Sequence, residues 1–425
     1  MIWLEAVLFG AAVLALALAL LLRRARRSGR VRRARRGVRA VEWTAAAAAL
    51  VLAAAGGLVV WALPPVDFPE PSGGYAVGTT TVQWTDRDRD ETWTEDPDDR
   101  RTVVAQLWYP AEPGTGTAGA PYLGRTAAEA RVVTDAIADG FGLPGSLLSD
   151  AARARTRAAA GAAPVRDGAP LPVVVFSPGL GGVRGQNTAW AQELASHGYV
   201  VAALDHPFDS AAVVLDDGTV VRGRLSVPEG SEEEDRLVSE WTSIRADDMR
   251  LALTRLQEMD ADADGPFADR LDPGRVVAAG HSFGGSAALH AAAGDDRFAA
   301  VIDIDGFPHE ADGLALPRPL LVLVAGRGTG DAVADARYAD AVTAALAAAD
   351  GPSCALTVEG AAHLSFTDAP LYLPPVPSIV GSDGRTRPLA TTADATLAFL
   401  DAALRDPAAD PRAALAPFGA TECDS

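Results

Sequence analysis

A chain of 425 residues, 48% hydrophobic and 22% charged, carries too much apolar side chain to be disordered, and is long enough for one large domain with appendages. Its net charge of −19 is uneven: residues 1–63 hold ten arginines against Glu5 and Glu42, which leaves 27 basic and 54 acidic side chains in the rest. So acidic a body repels phosphate backbones and excludes nucleic acid as a partner, and two cysteines are too few for a disulfide scaffold or a zinc site.

Two apolar runs come first, 6–22 and 43–63, each near the ~20 residues that cross a bilayer as a helix. Trp3, Trp43 and Trp61 stand close to their ends, and all ten arginines lie between them in RRARRSGRVRRARRGVRA. Loops that short and basic stay on the cytoplasmic side. The expectation is a two-helix transmembrane hairpin over 1–63 that anchors the chain in the cell membrane and puts everything after Pro64 outside the cytoplasm. A signal peptide would carry its positive charge before the first apolar run. An alanine-rich surface helix is the competing reading of the second run.

Residues 64–74, PPVDFPEPSGG, read as a Pro/Gly-rich linker. TTTVQWTD and RRTVVAQLWYP read as two strands around the acidic loop 86–99. Residues 115–170 form a long connection with helices, one opening on the capping-box spacing Thr126 to Glu129. From residue 172 the segments PVVVF, YVVAAL, RVVAAG, AAVIDI, PLLVLVAG and CALTVEG alternate with helical patterns. Continuous apolar strands separated by helices indicate a mostly parallel sheet covered on both faces, an α/β fold. TTADATLAFLDAALR (391–405) reads as the closing helix, so the body spans 75–405 and 406–425 is a loose tail.

The strongest chemical signal is Gly280-His281-Ser282-Phe283-Gly284-Gly285, directly after the strand RVVAA and before SAALHAAA. G-x-S-x-G between strand and helix is the nucleophile elbow of α/β-hydrolases. Ser282 is the expected nucleophile, and the Phe283 amide at the helix start is an expected oxyanion donor. The loop Ser177-Pro178-Gly179-Leu180-Gly181-Gly182 follows PVVVF, so the Leu180 amide is the expected second donor. Of six histidines, His363 follows the last strand, where the base belongs. His281 and His290 flank the elbow as packing residues, His197 ends a helix, and His309 lies in a polar loop. His206 follows a strand but comes before the serine. The acid is Asp305, at the end of AAVIDID, or Asp331, after PLLVLVAG; pattern alone leaves them level. Asp260-Ala261-Asp262-Ala263-Asp264-Gly265 starts like a calcium loop, but its twelfth position is Leu271. Cys354 and Cys423 read equally as a pair, if outside the cytoplasm, or as a buried free Cys354 at a strand start.

Taken together, LWYP (107–110), FSPGLGG (176–182), ELASHGYVVAALDH (193–206), GHSFGG (280–285), DDRFAAVIDIDG (295–306) and EGAAH (359–363) resemble the α/β-hydrolase esterases of the platelet-activating-factor acetylhydrolase type, over about 75–405. The resemblance implies Asp305 as the acid, oxyanion donors at Leu180 and Phe283, and hydrolysis of short or oxidised acyl esters of small molecules or lipids, with no metal or other cofactor. The chain departs from that family at Pro178, where a histidine is usual, and after His206, which is followed by Pro-Phe-Asp rather than Arg-Asp. A polyester or cutin-type hydrolase and an envelope-lipid acyltransferase share the chemistry. A non-catalytic membrane binding protein of the same fold is the alternative of another class. The oligomeric state is not legible.

Overall fold

The computed structural model describes residues 63–224, 232–309, 314–405 and 409–424, with scattered positions between Trp43 and Gly57. Apart from those positions, which are helical, and Leu63, the two apolar runs lie outside the described residues. Among the described residues no helix is long and apolar enough to cross a membrane. Asp67–Leu371 and Pro375–Ser425 make up one compact unit.

At the centre of that unit is an eleven-stranded sheet. The strands are β1 (Ala76–Asp90), β2 (Arg100–Ala111), the two-residue β3 (Thr117–Ala118) and β4 (Ala159–Ala160), β5 (Leu171–Ser177), β6 (Val200–Asp205), β9 (Leu271–His281), β10 (Phe298–Ile304), β11 (Leu320–Ala325), β12 (Ser353–Val358) and β13 (Ala420–Asp424). A separate hairpin joins β7 (Ala212–Val214) to β8 (Val220–Arg222). The sheet order is β13-β12-β11-β10-β9-β5-β6-β2-β1-β4-β3. From β6 through β5, β9, β10 and β11 to β12 every pairing is parallel, while β2 and β13 run antiparallel to their neighbours.

The central strands are unbroken apolar runs because both faces are covered. Alternate residues of β5 divide between two cores. Val173 and Val175 pack with Met249 and Leu253 of α3 (Glu232–Ala261) and with Ala287 and Ala291 of α4 (Phe283–Ala293). Val174 and Phe176 pack on the other face with Trp190 and Leu194 of the helix Thr188–Ser196, which is α2, and with Leu397 and Phe399 of Arg387–Leu400, which is α6. The remaining long helices are α1 (Ala127–Gly140), in the long insertion, and α5 (Ala332–Ala347). At the start of α1 half the expected capping box is present. Thr126 accepts the Glu129 amide, but the Glu129 carboxylate takes the Arg125 amide instead of that of Thr126.

Two stretches expected to be loose are ordered. In the Pro-rich 64–74 segment Phe68 is buried against Tyr122, ring centroids 4.9 Å apart, and the Gly73 amide donates to Ser196 Oγ. One aromatic side chain in a polar linker found an apolar slot. The tail holds a short helix, Pro411–Leu415, and then β13, with Cys423 directly opposite Cys354 of β12 and disulfide-bonded to it. The strand character of ATECD was masked by its shortness and by two acidic residues at a sheet edge.

Candidate active site

Only one residue separates β9 from α4, and that residue is Ser282, with φ +55° and ψ −126°. A serine held in this region is strained. Two glycines make the turn possible: a Cβ on Gly280 would overlap the Gly284 carbonyl, and one on Gly284 would overlap the Ser177 carbonyl. The Ser282 amide donates to Ile304 O at 2.9 Å, which ties the turn to β10. The hydroxyl is thereby raised above the ends of the parallel strands.

Asp305 lies just beyond the same end of β10, also with positive φ (+53°). Its Oδ2 is 2.7 Å from His363 Nδ1, and His363 Nε2 is 2.9 Å from Ser282 Oγ. Asp305 Oδ1 accepts the Ala325 amide at 2.7 Å and the Tyr338 hydroxyl at 3.3 Å. The carboxylate is thus clamped from β11 and α5 while pointing at the imidazole. His363 starts the short turn His363–Phe366 after β12 and keeps its side chain 48% exposed, whereas that of Asp305 is 7% exposed. Asp331 is elsewhere: its side chain caps α5 by accepting the Val333 and Ala334 amides.

Two buried groups lie beside this chain. His281 Nε2 lies 3.1 Å from the His363 carbonyl oxygen and His281 Nδ1 lies 3.0 Å from Gln186 Nε2. A carbonyl only accepts, so Nε2 carries the proton and Nδ1 receives the Gln186 amide. Burial, reinforced by His363 alongside, pushes His281 down to about 3, so the ring is neutral. Asp303, fully buried beneath the elbow, accepts the Gly306 amide at 2.8 Å on one oxygen, while the other has no partner among the described residues. Burial pushes Asp303 up to about 8; the Gly306 amide opposes the shift and Asp305 adds to it.

A second serine–histidine–aspartate chain runs through the interior. Ser177 Oγ is 2.9 Å from His206 Nε2, and His206 Nδ1 is 2.8 Å from Asp248 Oδ2. Its distances match those of the first chain, but all three side chains are fully buried. Burial lowers His206. Burial alone would raise Asp248, but Arg101 and His206 beside it hold it far below the usual carboxylate range. Ser177 also belongs to a regular strand and accepts an Arg245 N–H at 3.2 Å. Exposure and backbone strain therefore single out Ser282, not the hydrogen-bond pattern.

The Gly-rich loop after β5 reaches the same place. A Cβ on Gly179 would stand 3.3 Å from Ser282 Cβ. The amides of Leu180 and Phe283 have no hydrogen-bond partner among the described residues, and the Phe283 amide opens α4, where the helix dipole favours negative charge. The 260–265 loop uses its carboxylates on nearby backbone: Asp260 accepts the Leu271 amide and Asp262 that of Asp264. Among the described residues no three His, Cys, Asp or Glu side chains are grouped to hold a metal ion.

Arg245, Asp248, Asp209 and Tyr338 are not singled out by any motif in the sequence. A signal for Arg245 is nevertheless present: Trp241, Arg245, Met249, Ala252 and Leu256 form one buried stripe at helical spacing, and an arginine inside such a stripe needs partners.

Known proteins resemble this chain in part and as a whole. A dog platelet-activating factor acetylhydrolase is 30% identical over 184 residues, covering 38% of this chain and 41% of that protein. The bovine protein of the same name is 31% identical over 172 residues, covering 36% and 38%. A probable 1-alkyl-2-acetylglycerophosphocholine esterase of Arthroderma benhamiae is 30% identical over 136 residues, covering 32% and 31%. The chain thus spans about two fifths or less of these relatives. Among solved structures, a ferulic acid esterase from Streptomyces cinnamoneus superposes with a TM-score of 0.65 at 29% identity, covering 80% of this chain and 94% of that one. The profile of the platelet-activating factor acetylhydrolase, isoform II family matches residues 62–406, so the chain belongs to that family.

Proposed function

We propose that this protein is a serine carboxylic-ester hydrolase for short or oxidised acyl esters. The observation that carries the reading is the unbroken hydrogen-bonded chain from a strained, accessible Ser282 through His363 to Asp305, in a member of an acetylhydrolase family. Ser282 Oγ attacks the acyl carbonyl while His363 Nε2 takes its proton. Asp305 keeps the Nδ1 proton in place and stabilises the imidazolium. The Leu180 and Phe283 amides receive the oxyanion. Collapse of the tetrahedral species expels the alcohol, which leaves with the proton from Nε2. Water then repeats the sequence on the acyl-enzyme, releasing the acid and restoring the serine.

The likeness to a ferulic acid esterase supports a second reading of the substrate, an ester of an aromatic acid. A panel of p-nitrophenyl esters of increasing chain length, with methyl ferulate beside it, separates the two. Turnover of acetate and butyrate but neither long chains nor ferulate supports the first. No turnover of any ester, with no labelling by a fluorophosphonate, overturns both and favours a binding protein on the same fold.

The ten arginines between two apolar runs support a body held outside the cytoplasm by an N-terminal membrane hairpin. The Cys354–Cys423 disulfide supports the same side, because such bonds persist in oxidising compartments.

A further inference from the structure

We infer that Arg245 is the positioning residue of the oxyanion site, setting the Leu180 loop and the Phe283 helix start against each other; this rests on the esterase reading above. An arginine side chain has five N–H donors, and all five of Arg245 are engaged. Nε and Nη2 form a fork to the two carboxylate oxygens of Asp209. Nη1 donates to Ser177 Oγ and to the Pro178 carbonyl, and Nη2 to the Gly179 carbonyl at 3.0 Å. The guanidinium carbon lies 4.8 Å from the centre of the Phe283 ring. Both side chains of the Arg245–Asp209 pair are buried.

The bond to Gly179 O is the decisive one. The Gly179 carbonyl and the Leu180 amide belong to a single peptide unit, which is planar and trans, so they point in opposite directions. Fixing the oxygen on Arg245 therefore fixes the direction of the Leu180 N–H. The Gly182 amide donates to the same oxygen at 2.8 Å, and Asp209 Oδ1 accepts the Gly181 amide at 3.3 Å. Without these contacts a loop with glycine at 179, 181 and 182 has backbone freedom that scatters the amide. The opposite donor is indexed from the same group, because the Phe283 ring rests on the guanidinium face while its amide opens α4. Lysine carries the charge but lacks the planar fork, and so holds neither carbonyl pair nor ring in the same way.

The test uses the full-length protein with Arg245→Lys and, as a second variant that leaves the main chain untouched, Phe283→Leu. For each, kcat and KM on p-nitrophenyl acetate, inhibition by an aryl boronic acid as a tetrahedral mimic, and the melting temperature are measured. Arg245→Lys is expected to lower kcat about 10²-fold with KM within about threefold, and to weaken boronic acid inhibition in parallel. Phe283→Leu is expected to lower kcat about five- to tenfold, and the double variant to lose less than the product of the two. If either variant melts like the parent and keeps its kcat and boronic acid affinity, the positioning role is wrong. If the parent itself turns over no ester and takes no fluorophosphonate, the esterase reading falls first and this inference with it.

Discussion

His281 Nε2 donates to the carbonyl oxygen of His363 at 3.1 Å, and the two imidazole rings lie 4.7 Å apart. The residue beside the proposed nucleophile thus grips the backbone of the proposed base. Because His281 is held neutral by burial, it puts no second positive charge next to His363 when that ring is protonated in the proposed mechanism. His281→Leu removes the grip and is expected to lower kcat by about ten- to a hundredfold, as small misplacements in such sites do. His281→Gln, which keeps a donor, is expected to recover part of the loss. Equal losses in the two variants would make the contact irrelevant.

Asp305 and Asp331 are separated by place and, in the proposed mechanism, by role. Asp305→Asn preserves shape but reverses the donor pattern toward His363 Nδ1, and kcat is expected to fall by ~10⁴ in a normally folded protein. Asp331→Ala removes the cap of α5, with an expected cost of about 1 kcal/mol in stability and no change in kcat. Denaturant melts and ester assays on both variants check this pair. Ser282→Ala is expected to abolish fluorophosphonate labelling, and labelling that persists would place the nucleophile elsewhere.

Asp303 is expected to give stability a pH dependence, with a sign set by its burial. Its folded-state value is raised to about 8 from an ordinary 3.8, so between about pH 4 and pH 8 the folded protein holds a proton that the unfolded chain has lost. The contribution of Asp303 is therefore most favourable below about pH 4. It declines by ~1.4 kcal/mol per pH unit as pH rises toward 8, and is flat above. Asp303→Asn has no such proton and keeps an oxygen for the Gly306 amide. Its melting temperature relative to the parent is expected to climb steadily from pH 4 to pH 8. Parallel curves would mean that Asp303 ionises as an ordinary surface carboxylate does.

The proposed topology is checked on living cells. Protease added outside is expected to release an esterase-active body starting near Pro64, since Phe68 and Gly73 are already tied into the fold. Cleavage only after lysis would put the body in the cytoplasm.

How far each feature can be read from the chain depends on the range of the forces that make it. The strand–elbow–helix around Ser282 is local, so a few consecutive residues announce it, and the central strands declare themselves by apolar runs buried on both sides. Asp305 is harder. Its claim over Asp331 rests on the amide of Ala325 and the hydroxyl of Tyr338, which come from β11 and α5 and leave no mark near residue 305. Arg245 and Asp248 are harder still, because in a helix as charged as α3 two more charges pass for solvent-facing side chains. The hairpin at 212–222 carries short, half-apolar strands that local patterning does not distinguish from loop.

The two borders of the sheet end in different ways. At one side β4 covers β1 only at Gly78 and Thr79, and β3 and β4 are each two residues long. At the other, β13 is riveted across β12 by Cys354–Cys423. Reduction loosens that rivet at a site remote in sequence from Ser282, and the loss of β13 would bare a row of unpaired amides and carbonyls on β12. The expected first symptom of a reducing environment is then edge-to-edge association of protein molecules along β12. The disulfide is thus a guard of solubility as well as of the fold.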